Sequence, residues 1–291
     1  MTRRVLITGS STGIGEACAR RLDAAGWRVF AGVRREDDAQ RLRAGMSSRL
    51  TPVLLDVTDA ASMARAARTI GVEGADAGLD GLVNNAGIAV AGPLEYLPIA
   101  DFRRQLEVNV VGPLAVTQAL LPAIRACRGR IVLMGSIAGR MTVPFLGPYS
   151  ASKFALEAMA DALRVELQPW DIRVALVEPG SIATPIWNKS GKAAQAQDAA
   201  LPDEARRRYG ASTQKMREVA EKTGRRGIDP DVVAAAVEHA LTAASPRTRY
   251  LVGRDARLRA VLGAWMPDKV RDRLITRALG VPRRGELTED R

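Results

Sequence analysis

Short runs of β-branched and aliphatic residues recur along the chain, each followed by a longer stretch with helical spacing. Runs such as VLIT, RIVLMG and RVALVE are apolar at every position rather than at every second one, the pattern of strands covered on both faces. The strand candidates are Arg4–Thr8, Arg28–Val33, Thr51–Asp56, Gly81–Asn84, Arg130–Gly135, Arg173–Glu178 and Tyr250–Val252. Between them lie helical patterns over Ile14–Ala25, Asp37–Ala44, Ala60–Ile70, Ile99–Ala126, Tyr149–Leu167 and Pro230–Ala244. Strict β-α-β alternation predicts an α/β fold: a single-domain, Rossmann-type, doubly wound parallel seven-stranded sheet with helices on both faces. That domain is expected over residues 1–253, and a helical C-terminal extension over 254–291.

Two segments leave the alternation. Residues 181–227 are long, polar and basic, which predicts a substrate lid with short helices of its own. Beyond residue 253, Leu258, Val261, Leu262 and Trp265 form one apolar stripe and Val270, Leu274 and Ala278 another, with Pro267 as a helix start between them. Their spacing suits burial and predicts a cap on the substrate pocket; a subunit interface or an anionic membrane surface are the other readings of the basic tail. The last residues, PRRGELTEDR, are expected to fray.

A formal charge of +11 raises the question of nucleic acid, but the arginines are spread over the whole chain and aromatics are only 4%. No nucleic-acid partner is expected, and membrane contact is expected to be peripheral at most. No apolar run approaches the roughly 20 residues of a bilayer span. The first strand begins at residue 4, leaving no length for a signal peptide, so a cytoplasmic protein is expected. Cys18 and Cys127 stand alone, without CxxC or paired histidines, and read as small core residues; neither a disulfide framework nor a metal site is expected. The sole histidine, His239, reads as a surface helix residue.

TGSSTGIG follows the first strand and opens the first helix. Gly9, Gly13 and Gly15 allow a tight turn and let backbone approach a pyrophosphate at the helix N-terminus. At the end of the second strand, where an NAD site offers a carboxylate to the ribose 2′-hydroxyl, the chain has Val33 followed by Arg34 and Arg35. Guanidinium groups bind a 2′-phosphate that a carboxylate would repel, so NADP is preferred and NAD remains possible. Asp56 suits an adenine amino group, and NNAG at Asn84–Gly87 suits backbone close to a nucleotide. In YSASK, Tyr149 and Lys153 stand at i and i+4 on one helix face, where an ammonium would lower the pKa of the phenol.

Taken together, TGSSTGIG, the Asp of LLDV, NNAG, the Asn of VNV, GSIAG, YSASK and the Thr of EPGSIAT resemble the short-chain dehydrogenase/reductase family, nearest its 17β-hydroxysteroid and retinol dehydrogenase branch. The resemblance implies a catalytic set of Asn109, Ser136, Tyr149 and Lys153. In it Tyr149 is the general acid–base, Lys153 tunes it and holds the nicotinamide ribose, Ser136 orients the substrate oxygen, and Asn109 holds a relay water. It also implies cofactor contacts from Gly9, Ser11, Thr12, Gly13, Ile14, Gly15, Arg34, Arg35, Asp56 and Val57, and from Asn85, Ala86 and Gly87. Tyr149, Lys153, Pro179, Gly180, Ile182 and Thr184 complete that set. Met141, Phe145 and Trp187, with Ser136 and Tyr149, are the substrate candidates, and the apolar run from Met141 to Leu146 suggests an apolar alcohol or ketone. The implied activity is an oxidoreductase moving a hydride between NADP(H) and a steroid-, retinoid- or lipid-like secondary alcohol or ketone. A ketoreductase for carrier-bound acyl or polyketide intermediates and a non-catalytic nucleotide sensor are the rival readings. Family dimers pair the helices around 100–126 and 149–167, so a homodimer or homotetramer is expected.

Overall fold

The computed structural model describes residues 2–71, 78–184 and 201–281. Within them, β1 (Arg4–Ile7), β2 (Arg28–Val33), β3 (Leu50–Leu54), β4 (Gly81–Asn84), β5 (Arg130–Met134), β6 (Arg173–Pro179) and β7 (Arg249–Val252) form one seven-stranded sheet in the order β3-β2-β1-β4-β5-β6-β7. Every pairing is parallel; Val5 of β1, for example, stands between Val29 of β2 and Gly81 of β4. The helices are α1 (Gly13–Ala24), α2 (Glu36–Ala44), α3 (Ala60–Ile70), α4 (Ile99–Leu106), α5 (Gly112–Ala126), α6 (Gly147–Glu166), α7 (Asp203–Arg225), α8 (Pro230–Thr242), α9 (Arg254–Trp265) and α10 (Asp268–Leu279).

The continuous apolar runs follow from this layering. Along β1, Val5 and Ile7 enter a core on one face with α1 and α8, while Leu6 enters the opposite core with α3, α5 and α6. All three are sealed from solvent, and each fully buried aliphatic side chain is worth roughly 1.5–3 kcal/mol. Local chemistry sets the helix ends. Asp59 and Asp229 cap α3 and α8 by accepting backbone N–H bonds, and Pro230 occupies the first turn of α8. Strand order reverses between β1 and β4, which opens a crevice at the carboxyl ends of the strands.

Four expectations change. The run Ile99–Ala126 is long and apolar enough to cross a membrane by length and composition; here its apolar face, through Val116, Leu120 and Ile124, packs against the sheet. It is also not a uniform α-helix, because Glu107–Val111 forms a widened π turn between α4 and α5. In the tail, the expected apolar stripe faces outward: Leu258 is 61%, Val261 59% and Trp265 84% exposed. Short residues carry the packing instead, Ala256 and Ala260 of α9 against Ile137, because only small side chains let that helix approach closely. Cys18 is buried as expected, but Cys127, at the end of α5, is exposed. His239 is exposed on α8, its Nδ1 2.9 Å from the Tyr250 hydroxyl.

Candidate active site

A cleft of about 820 Å³ runs along the carboxyl ends of the strands, from the Gly9–Ile14 turn past Asp56 and Asn85–Gly87 to Tyr149, Lys153 and the Pro179–Thr184 segment. The glycines make its floor possible. Gly9 has φ +67°, and a Cβ there would lie 2.7 Å from the Cα of Ala86. A Cβ on Gly15 would lie 2.3 Å from the Gly9 carbonyl oxygen and 2.5 Å from Asn85 Nδ2. Asn85 bonds this packing together, its Nδ2 donating to the carbonyls of Thr8 and Gly9 at 2.9 and 3.0 Å. Thr12 precedes α1 in extended backbone, and its hydroxyl makes no cap bond. The first-turn N–H groups of Gly13 and Ile14, both lining the cleft, are therefore left to an anion. A dinucleotide fits this surface: bare glycine backbone and an uncapped helix end at the phosphates, and polar side chains at either extreme.

Of the candidate cofactor residues, Ser11, Thr12, Arg34, Val57, Ile182 and Thr184 line the cleft with those just named. Gly15 sits behind the wall, where its role is the close approach already described. Arg35 turns away; its Nε donates to Asp38 Oδ2 at 3.1 Å at the start of α2. Asp56 Oδ1 accepts from the backbone N–H and hydroxyl of Thr58 at 2.9 and 2.7 Å. Those bonds, with the nearby Arg34 charge, hold its carboxyl below the ordinary range despite partial burial.

At the far end, Ser136 leaves β5, and Tyr149 and Lys153 rise from the first turns of α6. All three are buried, and all line the cleft. Burial pushes the Tyr149 phenol above its ordinary pKa, and a hydrogen bond with Ser136 pulls the other way. Burial also pulls the Lys153 ammonium down to about 8. Its Nζ donates to the Met134 carbonyl at 2.7 Å and lies 5.6 Å from the Tyr149 ring centre. The Tyr149 phenol is thus subject to desolvation opposed by Ser136, with the Lys153 ammonium on the same helix face. A neutral phenol within a dry pocket is a proton donor; a tyrosinate would need more positive charge beside the oxygen.

Asn109 lies in the π turn, buried and outside the cleft wall. Its Oδ1 accepts from the Ile88 N–H at 2.9 Å, and its Nδ2 donates to the Ile88 carbonyl at 3.0 Å and to Ser152 Oγ at 3.1 Å. Gln105 repeats the arrangement with Val90 and Ser152. Both amides fasten the segment after NNAG to the helix that carries Tyr149. Met141 and Phe145 do not line the cleft. Phe145 has φ +67° and packs edge-on against Tyr209 of α7 at 6.2 Å, and Met141 lies against Gly263 of α9. Trp187 lies outside the described residues.

Two contributions had no sequence signal. Asp255, the second residue of α9, accepts from the Ser181 N–H and hydroxyl at 2.8 Å each, and its Oδ1 would lie 2.3 Å from a Cβ on Gly180. It fixes the turn after β6 from the other end of the fold. On α7, the Tyr209 hydroxyl donates to Glu95 Oε2 at 2.6 Å and Arg208 donates to Glu95 Oε1 at 3.0 Å, docking that helix beside the mouth.

Residues 3–195 match the model of the short chain dehydrogenase family. The chain is 41% identical over 284 residues to human retinol dehydrogenase 5, covering 96% of this chain and 89% of that protein. It is 38% identical over 287 residues to bovine 17-beta-hydroxysteroid dehydrogenase type 6, with the same coverage. A solved short chain dehydrogenase from Burkholderia cenocepacia J2315, in complex with NADP, superposes with a TM-score of 0.71 at 27% identity, covering 94% of this chain and 97% of that one. With its parallel seven-stranded sheet and nucleotide cleft, the chain belongs to the short-chain dehydrogenase/reductase family and is an NAD(P)-dependent oxidoreductase acting on CH–OH groups.

Proposed function

We propose that the protein interconverts an apolar secondary alcohol and its ketone, steroid-, retinoid- or lipid-like, with NADP(H) as the preferred cofactor. The observation that carries this reading is the convergence of Ser136, Tyr149 and Lys153 at the buried end of a cleft whose other end is floored by glycine. The relatives named for retinol and for a hydroxysteroid support the substrate class. Ile88, Ala89 and Val90 give that end of the cleft an apolar wall.

A bound nicotinamide supplies or takes the hydride. The remaining work falls to the chain. Ser136 holds the substrate oxygen beside Tyr149, and the neutral phenol of Tyr149 gives it a proton during reduction. Lys153, its pKa near 8, is charged at neutral pH yet able to pass a proton on. Asn109 acts by holding Ile88 and Ser152 rather than by touching substrate. At the other end Arg34, which lines the cleft, supports the NADP preference, while Arg35 is engaged by Asp38.

Residues 181–227 act as the lid, a reading supported by the Ile182–Ile228 pairing and by the contact of Tyr209 with Glu95. The protein is a cytoplasmic homodimer whose tail, with Leu258, Val261 and Trp265 exposed among arginines, rests on anionic bilayer surface. The test of the activity is a panel of retinoids, steroids, simple ketones and acyl thioesters with NADPH and NADH, followed by cofactor absorbance. Turnover of an apolar carbonyl, faster with NADPH, is expected, and Arg34→Asp should invert the cofactor ratio. No turnover of any carbonyl would defeat the reading, and an Arg34→Asp variant with an unchanged ratio would defeat the cofactor assignment.

A further inference from the structure

Behind Ser136 and Lys153 lies a set of charged side chains that the reaction as described does not use. Ser136 opens the short turn Ile137–Gly139, its Oγ accepting from the Ala138 N–H at 3.2 Å. That turn sits directly on α6: a Cβ at Gly139 would lie 2.8 Å from the Lys153 carbonyl oxygen and 3.4 Å from Glu157 Cγ. Arg140, the next residue, donates through Nε and Nη2 to both oxygens of Glu178. Glu178 is completely buried, one residue before the Pro179 that lines the cleft. Glu157, one helical turn beyond Lys153, accepts from Arg249 Nε of β7 through Oε2 at 3.0 Å.

Its other oxygen, Oε1, is buried without any donor among the described residues, a costly state for an ionised carboxylate. The groups facing Glu157 are Glu178 from β6, Arg140 from the turn, Arg249 from β7, and Asp161 on its own helix, which is occupied by Arg249 and Arg164. Glu178 is the neighbour to which Glu157 can hydrogen-bond, and two carboxylates make no hydrogen bond without a proton between them. Placing that proton on Glu157 Oε1 satisfies it and leaves the Glu178 charge to Arg140.

We propose that Glu157 is a positioning residue that shares a proton with Glu178, and that this bond locks the Ser136 turn and the end of β6 against the helix bearing Tyr149 and Lys153. The inference rests on the proposed reaction for its consequence, not for its chemistry. Burial, then the bond and charge of Glu178, raise the Glu157 carboxyl to about 7. A folded-state pKa raised above the unfolded value gives stability that is fully present below the unfolded value of 4.5 and is lost progressively as pH rises to about 7. Loss of the proton also frees the turn, so Ser136 placement loosens over the same range.

The experiment compares wild type, Glu157→Gln and Glu157→Ala, reading Tm and the kcat of carbonyl reduction from about pH 5.5 to about pH 8.5. Glu157→Gln keeps a donor toward Glu178 that cannot ionise. It should hold kcat near wild type at the acid end, abolish the limb near 7 in both Tm and kcat, and leave the later limb from Lys153. Glu157→Ala should lower kcat by about tenfold or more, as small misplacements of reacting groups do, with the Kd for NADPH unchanged. A merely structural role would lower Tm in both variants and leave the kcat–pH profile as in wild type. A Glu157→Gln protein with the wild-type pH profile of Tm, or an alanine variant with unchanged kcat, would overturn the proposal. Should wild type reduce no carbonyl, the proposed activity fails by itself, and the Tm comparison still decides whether the proton is shared.

Discussion

At Tyr149, burial raises the phenol pKa and a hydrogen bond with Ser136 opposes it. Its phenol is desolvated, so the neutral form is favoured and the residue is ready to donate. Removing only that oxygen should leave the cleft intact. Tyr149→Phe is expected to lower kcat by the ~10²–10⁴-fold typical of lost general acid–base catalysis, with the Kd for NADPH unchanged by fluorescence titration. Activity within twofold of wild type would remove Tyr149 from its role. The YSASK spacing was readable in sequence because i and i+4 on any helix share a face. That Lys153 Nζ is spent on the Met134 carbonyl was not, since β5 and α6 meet only in the folded chain. The two arginines at 34 and 35 make the same point: adjacent residues at a strand end diverge, and Asp38 decides which one turns away.

Among the elements, strands and helices over Arg28–Val33, Gly81–Asn84 and Ala60–Ile70 coincide with the sequence expectation; Ile99–Ala126 is divided by the π turn, the segment expected to hold short helices carries the 23-residue α7, and the other expected strands and helices shift by one or two residues at their ends. Continuous apolar runs and the 3.6 period are local signals, whereas end residues answer to caps and neighbours. The π turn at Glu107–Val111 could not be foreseen, because it exists to seat Asn109 between Ile88 and Ser152. On the outer face of α6 large apolar residues remain exposed, Phe154 at 46% and Val165 at 63%, and Val111, just before α5, is 46% exposed. These long helices are the surface that a second copy would cover. Light scattering should therefore find a dimer for wild type and a monomer for Phe154→Arg, whose charge would be buried in the interface. A variant that keeps the wild-type mass would place the contact elsewhere.

At the scale of the whole molecule, the tail helix α9 packs against the segments that follow β5 and β6. Asp255 of α9 fixes Ser181, and the Ile137 turn packs against Ala256 and Ala260. The tail is thus tied to the active site through small and acidic residues, while Leu258, Val261, Trp265, Val270 and Leu274 point to solvent. Wild-type protein is expected to sediment with phosphatidylserine vesicles and to be released by salt. Val261→Ser with Trp265→Ser should weaken that binding by about tenfold or more, from the roughly 1.5–3 kcal/mol carried by each buried large side chain. Equal sedimentation of both proteins, or of neither, would reject the membrane reading.

The order of motifs, the parallel sheet with two covered faces and the nucleotide-binding end of the strands were determined by sequence alone. They depend on short-range periodicity and on glycine at turns, which neighbouring residues suffice to specify. Which stripe of the tail is buried, which arginine reaches the cleft, and how Glu157 comes to lie beside Glu178 were decided only by tertiary structure. Each is a contact between segments far apart in the chain, and its outcome follows from side-chain size and charge at the meeting point, which no local pattern encodes.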